Sequence, residues 1–168
     1  MSLSLLPTVI ADSVTQLNPD NLRKMNIRLL MLDFDNTIVP YTTSKPTAEM
    51  EAWLNRMVQS DILVCVVSNS HKERVKVFCK SYGIDCITHA GKPFQDGIRR
   101  CLSRYEIPSG EAAIAGDQIF TDTLGGNLAG VSTILVKAIH NHNFWLKLRH
   151  IAELPFIFLA QNRRMKND

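Results

Sequence analysis

The sequence predicts an α/β fold in which a doubly wound parallel sheet is covered by helices on both faces. Short, apolar and often β-branched segments alternate along the chain with longer segments whose apolar residues recur every three or four positions. The short segments are typical of strands buried on both faces, and the longer ones of amphipathic helices. This alternation indicates parallel strands that are joined by right-handed helical crossovers.

Five strands and five helices are predicted from these patterns. The strands are expected at residues 27–32, 62–67, 85–89, 112–115 and 131–136. The first helix should begin with Asn18 as its cap and Pro19 in its first position, because these residues favour helix starts. Later helices are expected from Lys45 onward and over residues 72–82, 94–105 and 121–129. Trp53 lies on the apolar stripe of the second helix and is predicted to be a core residue.

Length and composition favour one soluble domain over residues 1–168, with a core at about 27–136 and a carboxyl-terminal segment at about 143–164. Hydrophobic residues make up 45% of the 168 and charged residues 21%, which argues against disorder. The net charge is +3, and residues 161–168 alone contribute +2 of it. Because the remaining chain is nearly neutral, no nucleic-acid partner is expected.

The cysteines and the absence of targeting signals predict a cytoplasmic protein. The four cysteines form no C-x-x-C pair and lie in apolar patterns, which is typical of buried thiols in a reducing compartment. No apolar run approaches the roughly 20 residues of a membrane span, and the amino terminus lacks the features of a secretory signal. A peripheral position at the membrane surface stays open.

Asp33 and Asp35 follow the first predicted strand and are one residue apart. Side chains at such positions project to the same side of a strand, so the two carboxylates should converge where the sheet ends. Paired carboxylates repel one another, and a hard cation such as Mg²⁺ relieves that repulsion. The alternative is a strand that runs into a turn, where Asp and Asn are favoured regardless of chemistry.

Other polar residues follow the remaining predicted strands. Because ligands of such sheets bind beyond the carboxyl ends of the strands, all of these side chains should face one crevice. Together they supply carboxylates, a hydroxyl, an amide and an amine, which suits phosphate and a divalent metal. Ser68 and Asn69 could instead cap a helix, as could Asp122; His140 and His142 are expected to be loop residues. The predicted site residues beyond the acidic pair are Ser68, Asn69, Lys92, Asp117 and Asp122.

In order and spacing, these residues resemble the haloacid dehalogenase superfamily of phosphohydrolases. The resemblance covers about residues 27–136 and comprises four ordered segments, namely Asp33-Phe34-Asp35-Asn36-Thr37, Ser68-Asn69, Lys92-Pro93 and Gly116-Asp117 with Asp122. It implies a Rossmann-like core and a Mg²⁺-dependent phosphatase that forms an aspartyl-phosphate intermediate.

The resemblance also implies a role for each residue. Asp33 corresponds to the nucleophile, and Asp35 to the general acid and base, whose backbone carbonyl also holds the metal. Ser68, with Asn69 beside it, corresponds to the phosphate-binding position, and Lys92 to the residue that neutralises charge on nucleophile and phosphate. Asp33, Asp35 and Asp117 are thus the implied Mg²⁺ ligands. Asp122 would orient Lys92 or the water around the metal.

The segments between the shared residues are too short for a cap domain. Only 32 residues separate Asp35 from Ser68, and one helix and one strand occupy most of them. The chain therefore looks like a member of the capless subclass III, whose open site accepts a bulky phosphate ester, unless a homo-oligomer supplies the cover. Within that group it resembles the branch of YqeG-type bacterial proteins and mitochondrial phosphatidylglycerophosphate phosphatases, which implies that substrate for some members.

Two other functions stay open, an oligomeric phosphatase for a small soluble metabolite and a noncatalytic binding protein with the same fold. Residues 144–168 bear on this choice, because apolar residues such as Trp145 alternate there with basic ones. Such a segment can form a membrane-surface helix that contacts anionic phospholipid. Pro155 should interrupt that helix, and packing on the core or in a dimer is the favoured interpretation.

Overall fold

The computed structural model describes residues 4–71 and 73–139. Its strands and helices run in the chain order β1 (Val9–Ala11), α1 (Pro19–Lys24), β2 (Leu29–Leu32), α2 (Ala48–Val58), β3 (Leu63–Val67), α3 (Glu73–Tyr82), β4 (Asp85–Ile87), α4 (Asp96–Tyr105), β5 (Ala112–Gly116), α5 (Leu124–Ala129) and β6 (Ser132–Val136). Short 3₁₀ turns lie at Val14–Gln16 and Ser109–Glu111, and a π-helical turn at Ile119–Thr123 precedes α5.

The strands pair in parallel in the order β1-β6-β5-β2-β3-β4, which confirms the predicted doubly wound sheet. From the central strand β2 the chain proceeds outward through β3 and β4, and it then returns to the other side of β2 to form β5 and β6. The order therefore reverses between β2 and β5. In parallel sheets of this kind, ligands bind in the crevice at the point where the strand order reverses.

Alternate residues of the central strands point into two hydrophobic cores. Leu30 and Leu32 of β2 pack in the larger core with residues of α2 and α3, whereas Leu29 and Met31 pack in the smaller core with residues of α4. All four side chains are fully buried. Trp53 is 1% exposed and donates from Nε1 to the Leu17 carbonyl at 2.5 Å, so its predicted core position is confirmed.

The sequence patterns missed β1. This three-residue strand pairs with β6, with Val9 opposite Ile134 and Ala11 opposite Val136. A segment of three residues carries too little periodicity to indicate a strand, and its partner lies more than 120 positions away. Its strand conformation therefore depends on a tertiary contact that no local pattern reports.

Two helix starts differ from prediction. The second helix begins at Ala48 and not at Lys45, because the Thr47 hydroxyl accepts from the Met50 backbone N–H at 3.2 Å. The fourth begins at Asp96, two residues later than predicted. The first helix agrees with prediction, since Asn18 accepts from the Asn21 N–H at 2.8 Å and Pro19 opens the helix.

Three of the four cysteines, Cys65, Cys79 and Cys101, are buried as expected, and Cys86 is half-buried. All four are free thiols. Across residues 4–71 and 73–139, none of the helices is both long and apolar enough to cross a bilayer. The predicted carboxyl-terminal segment at 143–164, with His140 and His142 before it, lies outside the described residues.

Candidate active site

The predicted polar residues converge at the carboxyl end of the sheet. Asp33 directly follows β2, Ser68 directly follows β3, and Asp117 directly follows β5. Lys92 lies on the loop after β4, and Asp122 lies in the π-helical turn after β5. These five residues follow neighbouring parallel strands at the same edge of the sheet. They therefore surround the point where the strand order reverses.

Lys92 lies at the centre of this arrangement. Its ammonium Nζ donates to Asp33 Oδ1 and to Asp122 Oδ1, each at 2.6 Å, and its side chain is 1% exposed. Burial alone would lower the pKa of Lys92, but attraction to Asp122 and Asp33 outweighs burial and raises it. The two neighbouring carboxylates therefore favour the charged form of Lys92.

Asn69 holds the backbone of Lys92 in place. Its side-chain amide donates to the Lys92 carbonyl at 2.8 Å, and its Oδ1 accepts from the Lys92 backbone N–H at 2.7 Å. This two-bond contact joins the loop after β3 to the loop after β4. The structure thus uses the Asn69 side chain to position Lys92, while its predicted contact with a substrate phosphate stays a prediction.

Ser68 is 2% exposed and lies at the base of the same region. Its Oγ accepts from the Ser70 backbone N–H at 3.1 Å, which stabilises a turn directly after β3. Helix α3 begins three residues after Ser70, at Glu73. Ser68 therefore lies just past the end of β3, the strand that pairs with β2, which Asp33 directly follows.

Asp33, Asp117 and Asp122 form a cluster in which one carboxylate oxygen of each lies within 4.8 Å of the others. Burial raises the pKa of Asp33 to about 6, against the opposing attraction of Lys92. Burial also raises the pKa of Asp117 to about 8, and the charges of Asp33 and Asp122 add to that increase. Three carboxylates face one ammonium group here, so the fully ionised cluster carries two uncompensated negative charges.

Such an excess of charge on oxygen ligands suits a divalent cation. The cluster differs from the predicted ligand set in one member. Asp122 contributes its carboxylate to the cluster, whereas the Asp35 carboxylate points to another partner, described below. Asp35 was expected to contribute its backbone carbonyl to the metal, so the separate partner of its carboxylate does not conflict with that expectation.

The close packing of Asp122 depends on Gly116. A Cβ atom at position 116 would overlap the Asp122 carboxylate. Asp122 is 2% exposed, and its Oδ2 accepts from the Gln118 backbone N–H at 3.2 Å. The cap position of α5 is Thr123 and not Asp122. Asp122 therefore accepts from Lys92 and does not cap the Gly-rich helix, while its predicted role in orienting Lys92 or the water around a metal stays a prediction.

Arg74 is a site residue that the sequence patterns did not single out. It lies in the first turn of α3, and its guanidinium forms an ion pair with Asp35 Oδ1. The signal in the sequence was the position itself, since a cation in the first turn of a helix opposes the helix dipole. The pairing with Asp35 depends on the approach of α3 to the loop after β2.

A cleft of about 570 Å³ opens over these residues. It has both members of the acidic pair and Lys92 in its wall, together with hydroxyl, amide and imidazole groups that are suited to a polar ligand. The lining residues are Asp33, Asp35, Tyr41, Ser68, Asn69, Ser70, His71, Lys92, Gln118 and Thr121. Asp33 and Asp35 are 7% and 8% exposed, so a ligand would meet them at the bottom of the cleft.

Comparison with known proteins gives the family. A family model described as HAD-hydrolase-like matches residues 89–142, which include Lys92, Asp117 and Asp122. The "Probable phosphatase YqeG" of Bacillus subtilis is 34% identical over 131 residues, which cover 78% of this chain and 76% of that protein.

Solved structures show the same fold at low sequence identity. A hypothetical protein from Xanthomonas campestris matches with a TM-score of 0.58 and 13% identity, covering 83% of this chain and 79% of that one. The cobalt-bound deoxy-D-mannose-octulosonate 8-phosphate phosphatase of Haemophilus influenzae matches with a TM-score of 0.53 and 13% identity, covering 67% and 69%. The family model and the sequence relationship to YqeG show that the chain belongs to the haloacid dehalogenase (HAD) superfamily and is a phosphatase of that family.

Proposed function

We propose that the protein is a Mg²⁺-dependent phosphomonoester hydrolase that forms an aspartyl-phosphate on Asp33, with phosphatidylglycerophosphate as its substrate. The observation that carries the proposal is the position of Asp33, which is held by Lys92 at 2.6 Å in a cleft that Asp35 also lines. A nucleophilic carboxylate, a fixed cation and a second carboxyl group thus surround one space. Phosphoryl transfer needs this combination of positioning and charge neutralisation.

Asp33 is suited to attack phosphorus at neutral pH. With a pKa of about 6, its carboxylate is mostly ionised at pH 7, and it is a stronger base than an exposed Asp. Lys92 Nζ binds only Oδ1 among the Asp33 oxygens, so Oδ2 is the oxygen proposed to bond to phosphorus. The Ser68 hydroxyl would donate to a phosphoryl oxygen, and Lys92 would neutralise charge on both reactants.

Asp35 is proposed as the acid and base of the two half-reactions. Its carboxyl group would protonate the departing alkoxide in the first step and accept a proton from water in the second. Asp33 and Asp35 leave the same strand end and line the same cleft, so one substrate phosphate can contact both. Two carboxyl groups in different surroundings can take such separate roles.

The acidic cluster is proposed to hold Mg²⁺. Asp33 and Asp117 would be direct carboxylate ligands, the Asp35 backbone carbonyl a further one, and Asp122 would hold Lys92 beside them. Bound there, a divalent ion supplies positive charge that lets an anionic nucleophile approach an anionic phosphate ester. The two uncompensated charges of the cluster and the raised pKa values of Asp33 and Asp117 support this proposal.

The substrate proposal has two supports. Along the described chain, α2 and β3 are the helix and strand between Asp35 and Ser68, and α3 and β4 are those between Ser70 and Lys92. These segments hold no cap domain, so the cleft can accept a bulky ester. The second support is the resemblance of the site segments to the phosphatidylglycerophosphatase branch, which agrees with the YqeG relationship. A peripheral association of residues 144–168 with anionic phospholipid would bring the cleft to a lipid substrate.

Direct turnover tests the proposal. The protein should release phosphate from phosphatidylglycerophosphate in mixed micelles faster than from sugar or nucleotide phosphates, and only with Mg²⁺ present. Asp33→Asn should abolish release and also the single-phosphoryl mass increment seen in acid-quenched native protein. Preference for a soluble ester would replace the substrate proposal with the metabolite phosphatase, and an active Asp33→Asn variant would refute the mechanism.

A further inference from the structure

We propose that Arg74 is a positioning residue that holds the Asp35 carboxyl group in its working orientation and joins it to the loop beside the cleft. The inference rests on the proposed function, because it assigns Arg74 a task in the proton transfers of Asp35. It comes from the ion pair between the two side chains, which are 18% and 12% exposed. A largely buried pair of this kind is costly to form and is not explained by stability alone.

The guanidinium of Arg74 contacts three parts of the molecule at once. It pairs with Asp35 Oδ1, its Nη1 donates to the Thr43 carbonyl at 2.8 Å, and it lies 5.2 Å from the centre of the Phe34 ring. These partners belong to the segment between β2 and α2, whereas Arg74 belongs to α3. Arg74 therefore connects the acid and base group to the loop that carries Tyr41 at the cleft.

Two features argue that the position is not simply structural. Within the described residues, Arg74 Nε is buried and has no hydrogen-bond partner, which is a free-energy cost that an apolar side chain would avoid. The charge also lies in the first turn of α3, where the helix dipole disfavours a cation. Two unfavourable terms at one position support a functional role for the contact with Asp35.

The proposed reaction gives this contact a task. In the first half-reaction a bond forms between Asp33 and phosphorus, the bond from phosphorus to the ester oxygen breaks, and the Asp35 proton passes to the leaving alkoxide. In the second, the oxygen of water bonds to phosphorus, the Asp33–phosphorus bond breaks, and a proton of that water returns to Asp35. Because Arg74 holds Oδ1, Oδ2 is the oxygen that carries the proton in both steps.

A comparison of leaving groups tests this role. Proton donation matters greatly for an alkoxide and little for 4-nitrophenolate, which leaves without protonation. We therefore compare kcat/KM, which reports the first half-reaction, for 4-nitrophenyl phosphate and for an alkyl phosphate that the native protein hydrolyses. Arg74→Gln should lower the value for the alkyl ester at least about 10-fold more than the value for the nitrophenyl ester. Arg74→Lys should recover part of that difference.

A double variant separates positioning from a general defect. In an Asp35→Asn background, Arg74→Gln should not change the ratio of the two kcat/KM values further, because the group that Arg74 positions is already removed. Arg99→Gln, which changes an exposed arginine on α4, is the matched control and should leave the ratio unchanged. If Arg74→Gln does not fold, Arg74→Lys takes its place in the same comparison with and without Asp35→Asn.

The outcomes distinguish this inference from the function on which it rests. Equal losses for both esters, or a further change in the Asp35→Asn background, would overturn the role of Arg74 while leaving an inactive Asp33→Asn variant as support for the mechanism. A native protein without activity toward either ester would overturn the proposed function and the inference together. A selective loss for the alkyl ester that depends on Asp35 would establish the role.

Discussion

The Lys92 ammonium group lies 2.6 Å from Asp33 Oδ1, and both side chains are buried. The same Nζ atom is equally close to Asp122, so one cation is shared by two carboxylates. Removing a partner from such a buried network leaves uncompensated charge, which is far more destabilising than the loss of an exposed pair. Lys92 is therefore needed to offset the charge of two buried carboxylates, whatever its part in the chemistry.

Lys92→Met is therefore expected to affect both stability and catalysis. The free energy of unfolding at pH 7 should fall by about 3 kcal/mol, because Asp33 and Asp122 lose their shared cation. The kcat/KM for phosphate esters should fall at least about 100-fold, because charge on the nucleophile and the phosphate is no longer neutralised. Urea unfolding and steady-state kinetics measure the two effects. Lys80→Met, at an exposed position of α3, is the control and should change neither.

Stability without divalent metal should decrease as the pH rises. Asp33 and Asp117 have pKa values of about 6 and 8 in the folded protein and an ordinary value of 3.8, so the folded state binds protons more tightly than the unfolded state. The stabilisation that these raised pKa values give the folded state is complete below about pH 4. It is lost as the pH rises through 6 for Asp33 and through 8 for Asp117, at up to about 1.4 kcal/mol per pH unit for each group.

Denaturant unfolding in EDTA at pH 5 and pH 8 measures how the free energy of unfolding depends on pH. Asp117→Asn should reduce that dependence. Mg²⁺ should add more stability at pH 8 than at pH 5, because the ionised cluster binds it more tightly. An equal effect of Mg²⁺ at both values would argue against the acidic cluster as the metal site.

Gly116→Ala should disturb the site without changing any charged residue. The new methyl group would overlap the Asp122 carboxylate and displace it from Lys92. We expect a loss of about 1–3 kcal/mol in unfolding free energy, with a decrease in kcat that exceeds any change in KM. Gly110→Ala is a matched control, because a Cβ atom at that position meets nothing within 4 Å. Similar behaviour of the two variants would contradict the packing argument.

Asn69→Ala tests whether the loop contact positions Lys92. The change removes both hydrogen bonds to the Lys92 backbone, at 2.8 and 2.7 Å, and should cost about 1–3 kcal/mol of stability. It should also lower kcat, since Lys92 Nζ would no longer be held beside Asp33. Asn55→Ala, at an exposed position of α2, should leave thermal unfolding and turnover at native values.

Much of the site could be predicted because it follows a rule of topology. Once the alternation of strands and helices predicts a parallel sheet, every residue just past a strand end belongs to one edge. Asp33, Ser68 and Asp117 needed no further information to be placed together, and Lys92 follows because its loop leaves the neighbouring strand. The sequence by itself thus determined the fold class and the chemical groups available in the crevice.

Tertiary structure alone decided which of these groups contact one another. The pairing of Arg74 with Asp35 depends on how α3 approaches the loop after β2, and the use of the Asn69 amide on Lys92 depends on the distance between two loops. The same is true of β1, whose partner strand is distant in the chain. Local patterns report the period and chemistry of a segment, whereas such contacts arise from packing between segments, and packing is settled only when the whole core is formed.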